Sequence, residues 1–170
     1  MRLLDAAVAE VTASGFDRLT VRLVATRAGV ATATAYDYFG SKEHMLTEVF
    51  YRRLTAVPVP VMDEHMTLVE RVQAVMGPMA LVVADERELG GGVTTSMLSH
   101  DPHVEALREQ IGALVLARVE DCLAGQCPDA ARGLALAFVG ALTTAGMGLL
   151  AYRDIAPLLR GLASGLMESP

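Results

Sequence analysis

The sequence predicts an all-α protein, and three observations carry that prediction. Apolar residues recur at three- and four-residue spacing instead of alternating, which is the period of a helix burying one face. Capping residues precede many of these stretches, and glycine or proline follows them. Composition points the same way. Of 170 residues, 52% are hydrophobic and only 5% aromatic, with no Trp, so packing must rely on Leu, Val, Ala and Met. A mean hydropathy of +0.38 is apolar for a soluble chain. The length suffices for a substantial core in one or two small domains.

The first helix, about Arg2 to Ala13, buries Leu3, Leu4, Ala7, Val8 and Val11 and ends at Gly15, with Phe16 tucked behind. Thr20 caps a second helix whose inner face is Val21, Val24, Ala25 and Ala28. Gly29 supplies a left-handed turn that a β-carbon would oppose, and Val30 plugs the core behind it. A third helix, Thr32 to Tyr38, turns Ala35 and Phe39 inward and Thr32, Thr34, Tyr36 and Asp37 elsewhere. Small Ala25, four residues before Gly29, lets these two helices cross closely. That is the requirement of a helix-turn-helix, about residues 20–39, which lays its second helix in a DNA major groove. Ser41 caps a fourth helix with Met45, Leu46, Val49, Phe50 and Leu54 on one face, leaving Arg52 and Arg53 as a solvated face. Val57-Pro58-Val59-Pro60-Val61 breaks it, dividing the chain into domains 1–56 and 57–170.

In the second part, Thr67 and Glu70 form a capping box opening a long helix to about Glu88, kinked at Gly77-Pro78. Gly90-Gly91-Gly92 ends that helix as a flexible hinge; it lacks the Lys-Ser/Thr of a phosphate loop. A short helix follows over 93–99. Asp101 caps the next, with Pro102 in its first position, which runs to about Ala124 before Gly125. Asp129 caps an eighth helix to about Tyr152, and Asp154 a ninth to the C-terminus.

Four segments carry a resemblance at fixed spacing: Thr20-Val21-Arg22, Ala25-Thr26-Arg27-Ala28-Gly29-Val30, Thr34-Ala35-Tyr36-Asp37-Tyr38-Phe39 and Ser41-Lys42-Glu43. In these the chain resembles the tetracycline-repressor (TetR) family of transcriptional regulators over about its first third; the remainder is similar in helical layout only. The resemblance implies a homodimer that binds double-stranded DNA at a palindromic operator and releases it on binding a small apolar or amphipathic effector. It implies a cytoplasmic, nucleoid-associated repressor without a cofactor. Thr20 and Tyr36 match phosphate-contact positions, and Lys42 a backbone contact at the start of the fourth helix. Thr32, Ala33, Thr34 and Asp37 match groove-facing positions, with Arg22 and Tyr38 completing the DNA-binding set. Hydroxyls and helix N-termini suit phosphate oxygens because unpaired N–H groups point outward there. Two positions depart from the pattern. Ala31 replaces the usual Ser, removing a side-chain cap worth about 1 kcal/mol. Asp37 stands where basic or neutral residues are common, and an aspartate can accept from cytosine N4, biasing the operator toward cytosine.

The net charge of -6 argues by itself against a nucleic-acid partner, but it is unevenly placed. Residues 1–56 hold seven basic and six acidic groups, a net of +1, and the remainder carries -7. Of the family's basic arm before the first helix, Arg2 alone remains, which suggests reduced non-specific affinity or a shortened start.

Gly133 to Tyr152 contains no charged residue, long enough for a membrane span. The alternative reading is therefore a small membrane-associated protein anchored by 133–152. Against it stands a small-residue stripe, Gly133, Ala137, Gly140, Ala141, Thr144, Ala145 and Gly148, that lets helix backbones approach closely. The resemblance pairs the last two helices across a two-fold axis, adding Leu158 and Leu162 to that interface. It also places an effector among Met76, Met79, Met97, Leu98, Leu114, Phe138 and Met147, with Thr94, Thr95, Ser96 and Thr143 to orient it. Ordinary core packing is the alternative for each. Cys122 and Cys127 are a poor zinc signature and read as reduced cytoplasmic thiols in a chain with no signal peptide. His100 and His103 want a third ligand to make a metal site. No Ser, Cys or carboxylate stands in a catalytic grouping with His, so an enzyme is disfavoured.

Overall fold

Alternation between capped apolar stretches and breakers becomes a wholly helical architecture in the computed structural model, which describes residues 2–124 and 128–168. Among these residues the elements are α1 (Arg2–Ser14), α2 (Val21–Ala28), α3 (Thr32–Tyr38), α4 (Lys42–Ala56), α5 (Leu68–Ala80), α6 (Arg87–Ser96), α7 (Pro102–Cys122), α8 (Pro128–Gly146) and α9 (Tyr152–Glu168). Gly125 and Cys127, read as a helix stop and a thiol, lie outside the described residues.

The buried apolar residues form one continuous cluster; its N-terminal part, the first core, lies among α1, α2 and α4, where Val11, Leu19, Val24, Met45, Leu46 and Leu54 are fully buried. The second core joins α5, α7, α8 and α9, with the broadest contact between α5 and α9. Met76, Met79, Phe138, Ile155 and Leu159 fill it. Helix α4 connects the halves by packing on both α6 and α7. Arg118 of α7, buried, donates to the Val57 carbonyl at 2.9 Å and fastens the proline-rich linker to the second core.

Several caps stand where the sequence places them. Ser41 and Asp101 accept from His44 N–H and His103 N–H, and Thr67 and Glu70 form a reciprocal capping box. Other boundaries move. The helix expected to reach Glu88 stops at Ala80, soon after Pro78 withdraws a backbone donor. A turn over 81–85 follows, held by Arg53, whose guanidinium donates to the Val82 carbonyl at 2.9 Å and pairs with Glu86. Arg53 is thus a half-buried clasp, whereas Arg52 is exposed and bonds Glu48 as expected of a solvated face.

Gly90-Gly91-Gly92 is no hinge; it lies inside α6. A Cβ on Gly92 would stand 2.9 Å from Leu46 and 3.3 Å from Phe16, so α6 approaches the first core as only glycine permits. The eighth helix ends at Gly146, not Tyr152, because Gly148 turns the chain with φ +78. Asp129 and Asp154 lie in the first turns of α8 and α9, where they favour the positive end of the helix dipole without capping it. The uncharged run is therefore split between two elements. No helix among the described residues is long and apolar enough to cross a membrane, which removes the basis of the anchored alternative.

Candidate nucleic-acid interface

The Thr20 hydroxyl oxygen accepts from Leu23 N–H at 3.2 Å and starts α2. At its other end Gly29 adopts φ 65, ψ 34. Val30 N–H reaches back to the Ala25 carbonyl at 3.0 Å and Gly29 N–H to that of Thr26 at 3.2 Å. This closure reverses the chain within two residues and leaves Val30 half-buried, outside the core it was expected to plug. Ala25 and Ala35 are both fully buried, so α2 and α3 cross with no large side chain between them.

Helix α3 is consequently bound along one stripe and open elsewhere. Ala33, Thr34 and Asp37 are exposed and Thr32 is half-buried. Tyr36 and Tyr38 are 51% and 68% exposed, so Tyr38 belongs to the outer face, while Phe39 packs inward. Ala31 offers no side-chain bond to the helix start. Thr20 and Arg22 stand exposed beside this face. Lys42 is placed differently from a free backbone contact. Its Nζ donates to the Phe16 carbonyl at 2.8 Å and sits 4.0 Å from the Phe16 ring centre, tying the α1–α2 loop to α4. Arg27 likewise bonds Glu10 at 2.7 Å and locks α2 onto α1. Neither strap was legible in the sequence, because nothing local relates residues 42 and 16.

The proposed effector residues are not brought together. Met76, Met79 and Phe138 are sealed in the second core, Met97 and Leu114 are half-buried, and Leu98 and Met147 face solvent. Between α5, α7, α8 and α9 lies a tight apolar gap, lined by Val72, Met76, Val119, Cys122, Leu134 and Leu159, with no room for a water molecule. Burial there pushes the Cys122 thiol up to about 11. The large opening, about 1350 Å³, is elsewhere: a groove walled by the α1–α2 loop, the 81–85 turn, α6 and the α8–α9 turn. Thr94, Thr95, Leu98 and Met147 line it; Ser96 is buried instead, and Thr143 bonds the Val139 carbonyl.

The small-residue stripe of α8 also divides. Gly133 and Gly140 are exposed, Ala137 and Thr144 half-buried, and Ala141 and Ala145 turn into the protein's own core. Gly148 lies beyond the helix end. Leu136, 74% exposed, and Val139 share the outer face with the two glycines, while Leu158 and Leu162 are exposed on α9. The three- and four-residue spacing of 133, 136, 140 and 143 held this signal.

A short exposed helix, set on a close crossing at one end of an all-helical chain, defines a helix-turn-helix DNA-binding protein. Residues 3–49 match the model of the bacterial regulatory proteins of the tetR family. The chain is similar to an uncharacterized HTH-type transcriptional regulator of Mycobacterium tuberculosis, with 41% identity over 169 residues, 98% of this chain and 78% of that protein. It belongs to the tetR family and is a transcriptional regulator of that type. Its fold is shared with a TetR transcriptional regulator from Rhodococcus sp. RHA1, at a TM-score of 0.78 and 21% identity, covering 99% of this chain and 94% of that one. It is shared too with FadR from Bacillus subtilis, solved in complex with stearoyl-CoA, at a TM-score of 0.68 and 19% identity, covering 99% and 97%.

Proposed function

We propose that this chain is a ligand-responsive repressor that binds a palindromic operator as a homodimer in the cytoplasm. The observation that carries this reading is the free outer face of α3. Thr34, Tyr36, Asp37 and Tyr38 are exposed on a helix held rigidly by Ala25, Ala35 and the Gly29 closure. Thr20 and Tyr36 hydroxyls serve phosphate oxygens, Arg22 supplies positive charge, and Thr32, Ala33, Thr34 and Asp37 meet the groove. Lys42 contributes by fixing the loop before α2.

Two copies would meet along the exposed apolar faces of α8 and α9, around Leu136, Val139, Leu158 and Leu162. A two-fold dimer sets its recognition helices about 34–36 Å apart, one turn of DNA, which is why the operator is palindromic. The effector is an apolar or amphipathic small molecule, in keeping with the stearoyl-CoA held by FadR. It would open the seam around Met76 and Leu134, now closed, and so favour a state in which α4 and the half-sites no longer fit. Only unequal affinity for the two states can drive that release.

Binding to duplex DNA from the protein's own upstream region, followed by fluorescence anisotropy, tests the reading. Affinity is expected to fall steeply with salt, with a log–log slope of about -0.9 per phosphate contacted. Absence of binding, or binding indifferent to salt, sinks it. Selection of preferred sequences with Asp37→Asn is expected to relax a cytosine preference by about 1–3 kcal/mol at one position of each half-site. An unchanged preference removes Asp37 from the groove.

A further inference from the structure

Two helix starts, one in each half of the molecule, are capped by residues that also bond each other. Ser41 Oγ accepts from His44 N–H at 3.0 Å at the start of α4. Asp101 Oδ1 accepts from His103 N–H at 2.8 Å at the start of α7. The Ser41 hydroxyl in turn donates to Asp101 Oδ2 at 2.5 Å, so a single proton joins the two caps. Above them the His44 ring lies flat on that of His103, with centroids 4.6 Å apart and planes within 9°. The His44 ring also makes a T-shaped contact with Phe39, centroids 5.1 Å apart, and Phe39 is the residue on which α3 ends. A continuous path therefore runs from the recognition helix through Phe39 and His44 to His103 on α7. Within it, His44 Nδ1 is buried and has no hydrogen-bond partner.

That packing accepts a neutral His44 and resists a charged one. Protonation would put a second N–H where nothing receives it and would set an imidazolium against the His103 ring. We propose that Ser41, His44, Asp101 and His103 form an acid-opened latch, holding the DNA-reading end of α4 to α7 when His44 is neutral and releasing it when His44 takes a proton. The proposal rests on the repressor reading only for its consequence at the operator.

The surrounding charges set the direction. Burial is the strongest influence on His44 and His103 the next, both opposing the proton; Asp101 and Glu48, one turn along α4, favour it more weakly. The result holds His44 below its ordinary 6.5. Asp101 is itself held below the usual carboxylate range, chiefly by the Ser41 hydrogen bond, so it stays ionised at neutral pH. Once the latch opens, His44 is hydrated and regains its ordinary affinity for protons. The open state then binds more protons than the closed one. Closure is thus fully favoured above about pH 6.5 and weakens as pH falls toward the value in the closed state. Each pKa unit between the two states makes opening about tenfold easier once both are passed.

The test follows the full-length protein by NMR from pH 8 to 5. The backbone amides of His44 and His103 each bond a cap oxygen, so they report the two caps directly. They are expected to change together with one midpoint below 6.5. His103→Phe keeps a flat partner without a proton site and should raise that midpoint. Asp101→Asn keeps a capping oxygen without the charge and should lower it. Amides that stay fixed while the His44 ring titrates, or midpoints unmoved by both substitutions, overturn the latch. Affinity for the upstream duplex should also fall between pH 7.5 and 5.5 in the natural protein and not in His44→Phe. Failure to bind DNA at any pH would refute the repressor reading, and the amide titration would still decide the latch.

Discussion

Phe138→Ala is expected to destabilise the protein by about 3–5 kcal/mol, the cost of removing an aromatic ring from a closed core. Phe138 is the largest of the fully buried side chains and belongs to the same buried cluster as Leu134, Ile155 and Leu159. Few rings are available to compensate in a chain only 5% aromatic. For a protein of this size each kcal/mol lowers Tm by about 2–4 °C, so calorimetry should show a fall of about 6–20 °C. Met147→Ala provides the contrast, because that side chain is solvent-exposed and its loss should stay within about 0.5 kcal/mol. Equal falls for both variants would mean that the second core is organised differently from the packing described.

These two residues show why apolar residues chosen for an effector pocket are not brought together by the fold. Both are apolar and both lie in the uncharged run read as one helix, so composition assigns them alike; the turn at Gly148 leaves Phe138 inside α8 and Met147 just past its end, on the surface. The DNA-reading face was legible because its determinants are local. A cap at Thr20, a left-handed Gly29 and small residues at 25 and 35 lie within sixteen residues and fix one another. The capping box at Thr67 and the Asp101-Pro102 start were readable for the same reason. The glycine run was misread because its favourable term is distant. Three glycines cost a helix about 1 kcal/mol each against alanine, and locally that predicts a break. The compensation comes from Leu46 and Phe16, which close on Gly92, and from Tyr152, which closes on Gly90, where a side chain would stand in the way. The same closeness appears across α6 and α8, where a Cβ on Gly146 would lie 2.7 Å from Thr94 Cβ. Ser41 and Asp101 were each recognisable as caps, but their bond spans sixty residues and belongs to the tertiary fold.

Ala25→Leu is expected to abolish specific DNA binding while leaving the second core intact. Ala25 is fully buried where α2 meets α3, and its carbonyl accepts the Val30 N–H that closes the turn. Three added carbons have no free volume there, and overpacking of this kind costs about 1–3 kcal/mol. That loss is tolerable for folding. The geometric consequence is larger, because α3 is held through Ala35 and, at its end, Phe39, and must tilt or shift to admit the new side chain. Contacts to base edges depend on hydrogen-bond distances, so displacement by about an ångström removes them, whereas attraction to phosphates persists. Specific sites are bound about 10³–10⁷ times more tightly than non-specific DNA, and the variant should lose at least a hundredfold of that margin. Titration of operator and scrambled duplexes at one salt concentration measures the margin directly. Ala9→Leu, exposed on α1, should retain it and serves as the control for added hydrophobic surface. If Ala25→Leu binds its operator within about threefold of the natural protein, the close α2–α3 crossing is not what aims the recognition helix.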